Sequence, residues 1–138
     1  MNTGSKSKLI KTFEVTPANV HDSQVLAQIC DANEPIFDDS AYYNQPVPEN
    51  CAHHTVRRAF RNSQLTEVDK KVNRKISKIR CRVEHVFGFI KNSMKGSLVR
   101  GIGSARANTN VMLANLVYNF CQYEQIRRLK LNSWVKTV

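Results

Sequence analysis

Cysteine is sparse in this 138-residue chain, and its four copies, Cys30, Cys51, Cys81 and Cys121, are widely scattered. They form no Cys-x-x-Cys pair, which excludes the common zinc-ribbon and redox motifs and reads as reduced thiols in a cytoplasmic protein. Cys51, His53 and His54 lie close in sequence, but their spacing fits no finger or knuckle, so no metal is assigned to them. Apolar runs long enough to span a membrane are missing, and so is the apolar core of a signal peptide. There is no internal repeat and no low-complexity segment. Acids are the remaining scarcity: residues 51–106 hold three against fourteen basic side chains, a net of +11.

That shortage is local. Residues 1–50 carry seven acids and three basic residues, a net of −4, within a chain of net charge +10 and pI about 9.8. A cation-rich segment beside an acid-rich one suits nucleic acid on one surface and metal ligands on another. The competing reading is a solvated basic helix. The length allows one domain, and 41% apolar content is enough for a core.

Residues 1–8 are small and polar and read as a frayed, disordered end. Leu9–Val15 alternates as a strand does. Asp22 or Ser23 is placed to cap a short helix running to about Cys30. Glu34–Asp38 reads as a short buried strand that delivers Asp38 and Asp39 to its C-terminal end. Residues 45–50 are loop, and Thr55–Phe60 is a further candidate strand. Thr66-Glu67-Val68-Asp69 reads as a capping box. From it a helix of about 25 residues runs to Met94 and stops at Gly96. Its apolar stripe is Val72, Ile76, Ile79, Val83, Ile90 and Met94. Ser104 is placed to cap a last helix, with Met112, Leu113, Leu116, Val117 and Phe120 as its apolar face. The order is strand, helix, strand, then basic helices. It is α/β in character, with too few strands to close a sheet alone.

The informative stretch is Ser77–Lys91. At 100° per residue, Arg80, Glu84 and Lys91 fall within about 40° of one another. One acid flanked by two cations beside a packed face is what phosphodiester cleavage uses: a carboxylate for a metal ion and cations for phosphate. The competing role for Glu84 is an i,i+4 ion pair with Arg80. For Asp39 it is a turn or cap, and for Asp22 a cap. Arg57, Arg58, Arg61, Lys70, Lys71, Arg74, Lys75 and Lys78 read as diffuse phosphate contacts or solvated charge. A helix-turn-helix built from residues 66–122 is disfavoured, because the loop at 95–103 is too long for its tight turn.

Several blocks, in order, carry a resemblance. Val15-Thr16-Pro17-Ala18-Asn19-Val20-His21-Asp22-Ser23, Phe37-Asp38-Asp39-Ser40-Ala41-Tyr42, Arg61-Asn62-Ser63-Gln64-Leu65-Thr66 and the Met112–Asn119 segment are four of them. The fifth is the spacing of Arg80, Glu84 and Lys91, which matches a Y-(2)-R-(3)-E-(6)-K signature. Together they resemble the C-terminal half of bacterial insertion-sequence transposases of the DDE type, in the insertion-sequence-five group of the insertion-sequence-four-like class. The resemblance covers about residues 9–126.

It implies a partial RNase H-like fold of two or three strands plus basic C-terminal helices. It also implies DNA cutting and joining with two divalent ions, Mg²⁺ or Mn²⁺. By motif position Asp39 is the second catalytic and metal-binding acid, with Asp38 as the fallback, and Glu84 is the third. Arg80, Lys91, Arg74 and Lys78 would hold DNA, and Tyr42 would pack under the strand end. The partners implied are double-stranded DNA (transposon ends and target), an upstream half of the transposase and a second copy of the chain. No membrane is implied, and the setting is the bacterial cytoplasm and nucleoid.

Two departures qualify this. Ser77 stands where the signature has tyrosine. No acid precedes Glu14, so the opening strand and its first aspartate are expected to be missing. The polypeptide alone is then expected to be inactive, a truncated catalytic domain over residues 1–138. The rival is a non-catalytic basic DNA-binding protein or transposition inhibitor.

Overall fold

A computed structural model describes residues 1–42, 45–48, 50–59, 63–96 and 101–130. The chain is mixed α/β and divides into two compact units, Met1–Asn19 with Arg82–Val138, and Val20–Cys81.

In the first unit, β1 (Asn2–Thr3) and β2 (Ile10–Thr12) pair antiparallel, so residues 1–8 form the arm of a hairpin where a frayed end is expected. The turn is closed by Gly4 N–H to Leu9 O at 2.8 Å and Lys8 N–H to Gly4 O at 2.9 Å. The strand read over Leu9–Val15 is confined to Ile10–Thr12. Its backbone is held by a long helix, α3 (Ser104–Arg128). The Asn119 carboxamide accepts from Ile10 N–H and donates to Ile10 O, both at 2.9 Å. Tyr118 Oη donates to Lys8 O and the Gln122 amide to Ser7 O. Arg82 donates to Ser5 O. A cluster of Ile10, Val86 and Tyr118 forms the core of this unit, with Met1, Phe89, Ile90 and Met94 packed against it.

The α3 helix differs from expectation in two ways. Gly103, not Ser104, occupies the N-cap, with no side-chain cap bond. The face read as packed is open: Met112, Leu113, Leu116, Val117 and Phe120 are 47–65% exposed. The buried positions are Asn115, Tyr118 and Ile126. Periodicity finds a stripe but not its partner. Here the strand backbone must be hydrogen-bonded wherever it is buried, and the amides of the opposite face do this.

In the second unit a 3₁₀ turn (Asp22–Val25) leads into α1 (Leu26–Ile29), a shorter helix than expected, whose N-cap is Val25 with no side-chain cap bond rather than Asp22 or Ser23. The side chains of Asp22 and Ser23, the expected caps, lie outside the described ones. The strands β3 (Ile36–Asp38) and β4 (His53–Thr55) pair in parallel, Ile36 with His53 and Asp38 with Thr55. The expected strand at Thr55–Phe60 therefore lies earlier. Residues 56–59 leave the sheet, and Phe60 and Arg61 fall outside the described residues. The physical reason is a competing partner: Asn73 accepts from Arg57 N–H at 3.0 Å and donates to Arg57 O at 2.9 Å.

The helix α2 (Glu67–Gly88) crosses the boundary between the units. It starts at a reciprocal capping box, as expected. Asp69 N–H donates to Thr66 Oγ1 and Thr66 N–H donates to Asp69 Oδ2, both at 3.1 Å. Ile76 is buried, whereas Val72 is 45% exposed. The helix does not continue regularly to Met94. Phe89–Ser93 form a π turn, closed by Met94 N–H to Phe89 O at 3.2 Å. Gly96 N–H then bonds Ile90 O at 2.9 Å. A Cβ on Gly96 would lie 2.8 Å from Ile90 Cγ2, so glycine fits this stop. No helix among the described residues is long and apolar enough to cross a membrane.

Candidate active site and nucleic-acid interface

Strand alternation separates the two neighbouring aspartates. Phe37 and His54 stack at 5.0 Å on one side of the β3–β4 pair. Asp38 turns inward and is 8% exposed. Its Oδ2 lies 2.5 Å from His53 Nε2, which is 3.1 Å from Thr55 Oγ1. The other oxygen, Oδ1, is buried with no hydrogen-bond partner among the described residues. A carboxylate so enclosed ties β3 to β4.

Asp39 follows as the strand ends and is 42% exposed. Its Oδ1 accepts from Ser40 N–H at 2.6 Å and from the Ser40 hydroxyl at 3.1 Å, starting the 3₁₀ turn Ser40–Tyr42. Its Oδ2 faces Arg80 on α2 at 3.8 Å. The Ser40 backbone bond holds the Asp39 carboxyl below its usual range, with help from the Ser40 hydroxyl, Arg80 and Arg58 against partial burial. Asp39 is thus an ionised carboxylate with one oxygen committed and the other open beside a guanidinium. The turn-capping role weighed for Asp39 is present alongside this open oxygen.

Glu84 is exposed on α2, one helical turn beyond Arg80. Asp39 and Arg80 belong to one compact unit and Glu84 and Lys91 to the other. Lys91 is exposed within the π turn. The wider turn moves it out of the α-helical register with Glu84 that the sequence spacing assumes, and such turns recur at functional sites. Arg74 and Lys78 lie about 120° around α2 from Arg80 and Glu84. With Lys71 and Lys75 they form an exposed basic ridge. The cations therefore fall on two faces: Arg80 beside Asp39, and a ridge suited to duplex phosphate. Lys70 instead pairs with Glu67 at 2.7 Å, and Arg57 with Asp69 at 2.8 Å.

Sequence reasoning missed the Asp38–His53 pair. The signal for it was a pair of histidines, His53 and His54, in one short strand and an aspartate in another. Cys51 Sγ bonds Asp31 O at 3.3 Å. Burial pushes the Cys30 thiol up to about 11, aided by nearby Cys51, Asp38 and Asp31, which leaves it an unreactive thiol. Among the described residues no three His, Cys, Asp or Glu side chains converge to hold a metal ion. A two-metal centre needs such a convergence, so these residues do not by themselves fit one.

The family described as Transposase DDE domain matches residues 2–120 of the chain. A similar protein is the transposase for insertion sequence element IS1106 of Neisseria meningitidis serogroup B, 28% identical over 117 residues. That match covers 76% of this chain and 41% of the relative, so the chain spans about two fifths of that protein's length. No solved structure matches the chain. With residues 2–120 inside the family match, the chain belongs to the DDE-domain family of insertion-sequence transposases.

Proposed function

We propose that residues 1–138 are the C-terminal part of an RNase H-like catalytic domain of the insertion-sequence-five group, acting on DNA in the bacterial cytoplasm and nucleoid. Asp39 and Glu84 are two of its three metal-binding acids, and Mg²⁺ or Mn²⁺ is the ion. The first aspartate, and an opening strand to carry it, come from a segment these residues do not supply. Arg80 and Lys91 hold phosphate near the scissile bond. Arg74 and Lys78 contact the duplex backbone. A second copy of the chain is a further partner. The supporting observation is the open oxygen of ionised Asp39 facing Arg80, on the helix that carries Glu84 one turn later.

The test is DNA cleavage in Mg²⁺ or Mn²⁺. The chain alone should bind duplex DNA without cutting it. Joined to an upstream segment bearing an aspartate-containing strand, it should cut, and Asp39→Asn or Glu84→Gln should abolish cutting while binding persists. Cutting that survives Glu84→Gln would refute the assignment. A second reading is a non-catalytic DNA binder or transposition inhibitor. It is favoured by the exposed Lys71–Lys78 ridge and by the lack of a three-donor cluster among the described residues. It predicts binding with or without the upstream segment, and metal-dependent cutting in neither case.

A further inference from the structure

Within the first unit, the N-terminal hairpin, the end of α2 and the later turns of α3 frame a cleft of about 140 Å³. Lys8 comes from the hairpin, His85 from α2, and Cys121 and Gln125 from α3. Phe89 and Tyr118, edge to face at 5.6 Å, give it an apolar wall. The Lys8, His85 and Gln125 side chains have no hydrogen-bond or ion-pair partner among the described residues. No carboxylate lines the cleft. Glu84, beside His85 in sequence, is not part of its lining, and Glu124, beside Gln125, is paired with Arg127 at 3.0 Å. Lys8 has a φ of 60°, a left-handed backbone that glycine or asparagine adopts at less cost. It is locked there by Lys8 N–H to Gly4 O at 2.9 Å and by Tyr118 Oη to Lys8 O at 3.2 Å. A cation held at a disfavoured backbone position on the rim of a cleft points to a use for that cation.

We propose that this cleft binds a phosphate group, free or in a nucleic-acid backbone, through the Lys8 ammonium, the His85 ring N–H and the Gln125 carboxamide. All three side chains offer N–H donors, and the imidazole does so in either protonation state. A phosphate presents several acceptor oxygens and a negative charge, so it meets all three at once. The apolar wall strengthens the attraction, because a low-dielectric surface focuses the field of nearby cations. Size narrows the choice. At about 30 Å³ each, about four or five waters fill the cleft, which is room for one phosphate group and far below the roughly 300 Å³ at which drug-sized sites begin. More polypeptide is a poorer occupant. A strand has its carbonyls committed to its own ladder, and would bury these three polar groups without partners.

Cys121, exposed and part of the lining, reports occupancy. The test is iodoacetamide alkylation of the full chain, followed at each cysteine by peptide mass spectrometry, in inorganic phosphate and in chloride of equal ionic strength. It needs neither cleavage nor a metal ion, so it is independent of the transposase reading. With roughly 10 mM phosphate against a Kd of about 1 mM, Cys121 alkylation should slow about tenfold. Cys81, on α2 outside the cleft, should not change. Lys8→Gln and His85→Gln should each remove the protection while leaving the Cys121 rate in chloride and the circular dichroism as in the parent. A short DNA duplex in place of phosphate identifies the source. Protection by both, lost in both variants, assigns the group to the DNA backbone, and protection by inorganic phosphate alone assigns a free phosphate. Protection by neither, protection by the duplex alone, or protection that survives both substitutions overturns the proposal.

Discussion

Removing the Asn119 carboxamide should uncouple the N-terminal strand from α3. Its two hydrogen bonds to Ile10, each 2.9 Å, complete the backbone of a residue that is 7% exposed. Water does not readily replace them there. Two bonds at about 1 kcal/mol each, plus a penalty for leaving a buried N–H and C=O unpaired, put Asn119→Ala at about 3 kcal/mol. For a domain of this size that lowers the melting temperature by roughly 10 °C. Asn119→Asp separates the two bonds. An ionised carboxylate still accepts from Ile10 N–H but repels Ile10 O, so at neutral pH it should be no better than alanine. The repulsion raises the carboxyl's pKa in the folded state. Protonation as pH falls through that raised value supplies a donor for Ile10 O and restores stability. Urea unfolding gives the free energy, and hydrogen exchange at the Ile10 amide reports the local bond. An alanine variant within about 0.5 kcal/mol of the parent, with Ile10 still protected, would refute the reasoning.

Val86, fully buried in the same cluster, should cost about 2–3 kcal/mol as alanine, from two lost methyl groups and the void they leave, read by urea denaturation. The Asp69 carboxyl lies below its usual 3.8 because of its bonds with Thr66, aided by Arg57. Its contribution to α2 is therefore full above that value and lost as pH falls through the lower folded one; helix content followed between about pH 5 and 2 should show this step, and Asp69→Asn should remove it. The two central aspartates should part company: Asp38→Asn, which weakens a buried bond to His53, should destabilise by about 1–3 kcal/mol. Asp39→Asn should stay within about 1 kcal/mol of the parent in thermal unfolding.

What the sequence made legible was local chemistry. The capping box needs only Thr66 and Asp69 at their spacing, and α2 begins there. The short helix near Leu26 and the loop at residues 45–48 follow from turn residues in the same way. What was not legible depended on distant partners. Residues 10 and 119 are 109 positions apart, and no periodicity announces that an asparagine will take the place of a neighbouring strand. The same device sets the end of β4, where Asn73 claims both backbone groups of Arg57. A signal did exist in both cases. Asparagine is a poor residue for a helix interior, so one held there has a reason outside the helix. Reading α3 from its apolar stripe alone reversed its buried face for want of that clue.

The candidate site shows the same division between near and far. Motif spacing favoured Asp39 over Asp38, but spacing alone gives no physical reason why one carboxylate should serve chemistry and its neighbour should not. The strand places the two carboxylates in different surroundings. A two-residue period sends Asp38 to the packed side, where His53 takes one oxygen and burial closes off the other. The next residue lies beyond the ladder, at the point where Ser40 begins a turn. Ser40 consumes only one of the Asp39 oxygens, and in doing so keeps the group ionised and fixes its direction. The dull reading of Asp39 as a turn residue and the sharp one as a metal ligand are therefore compatible. A carboxylate offered to a cation must first be held still, and the Ser40 turn holds this one while leaving its second oxygen beside Arg80.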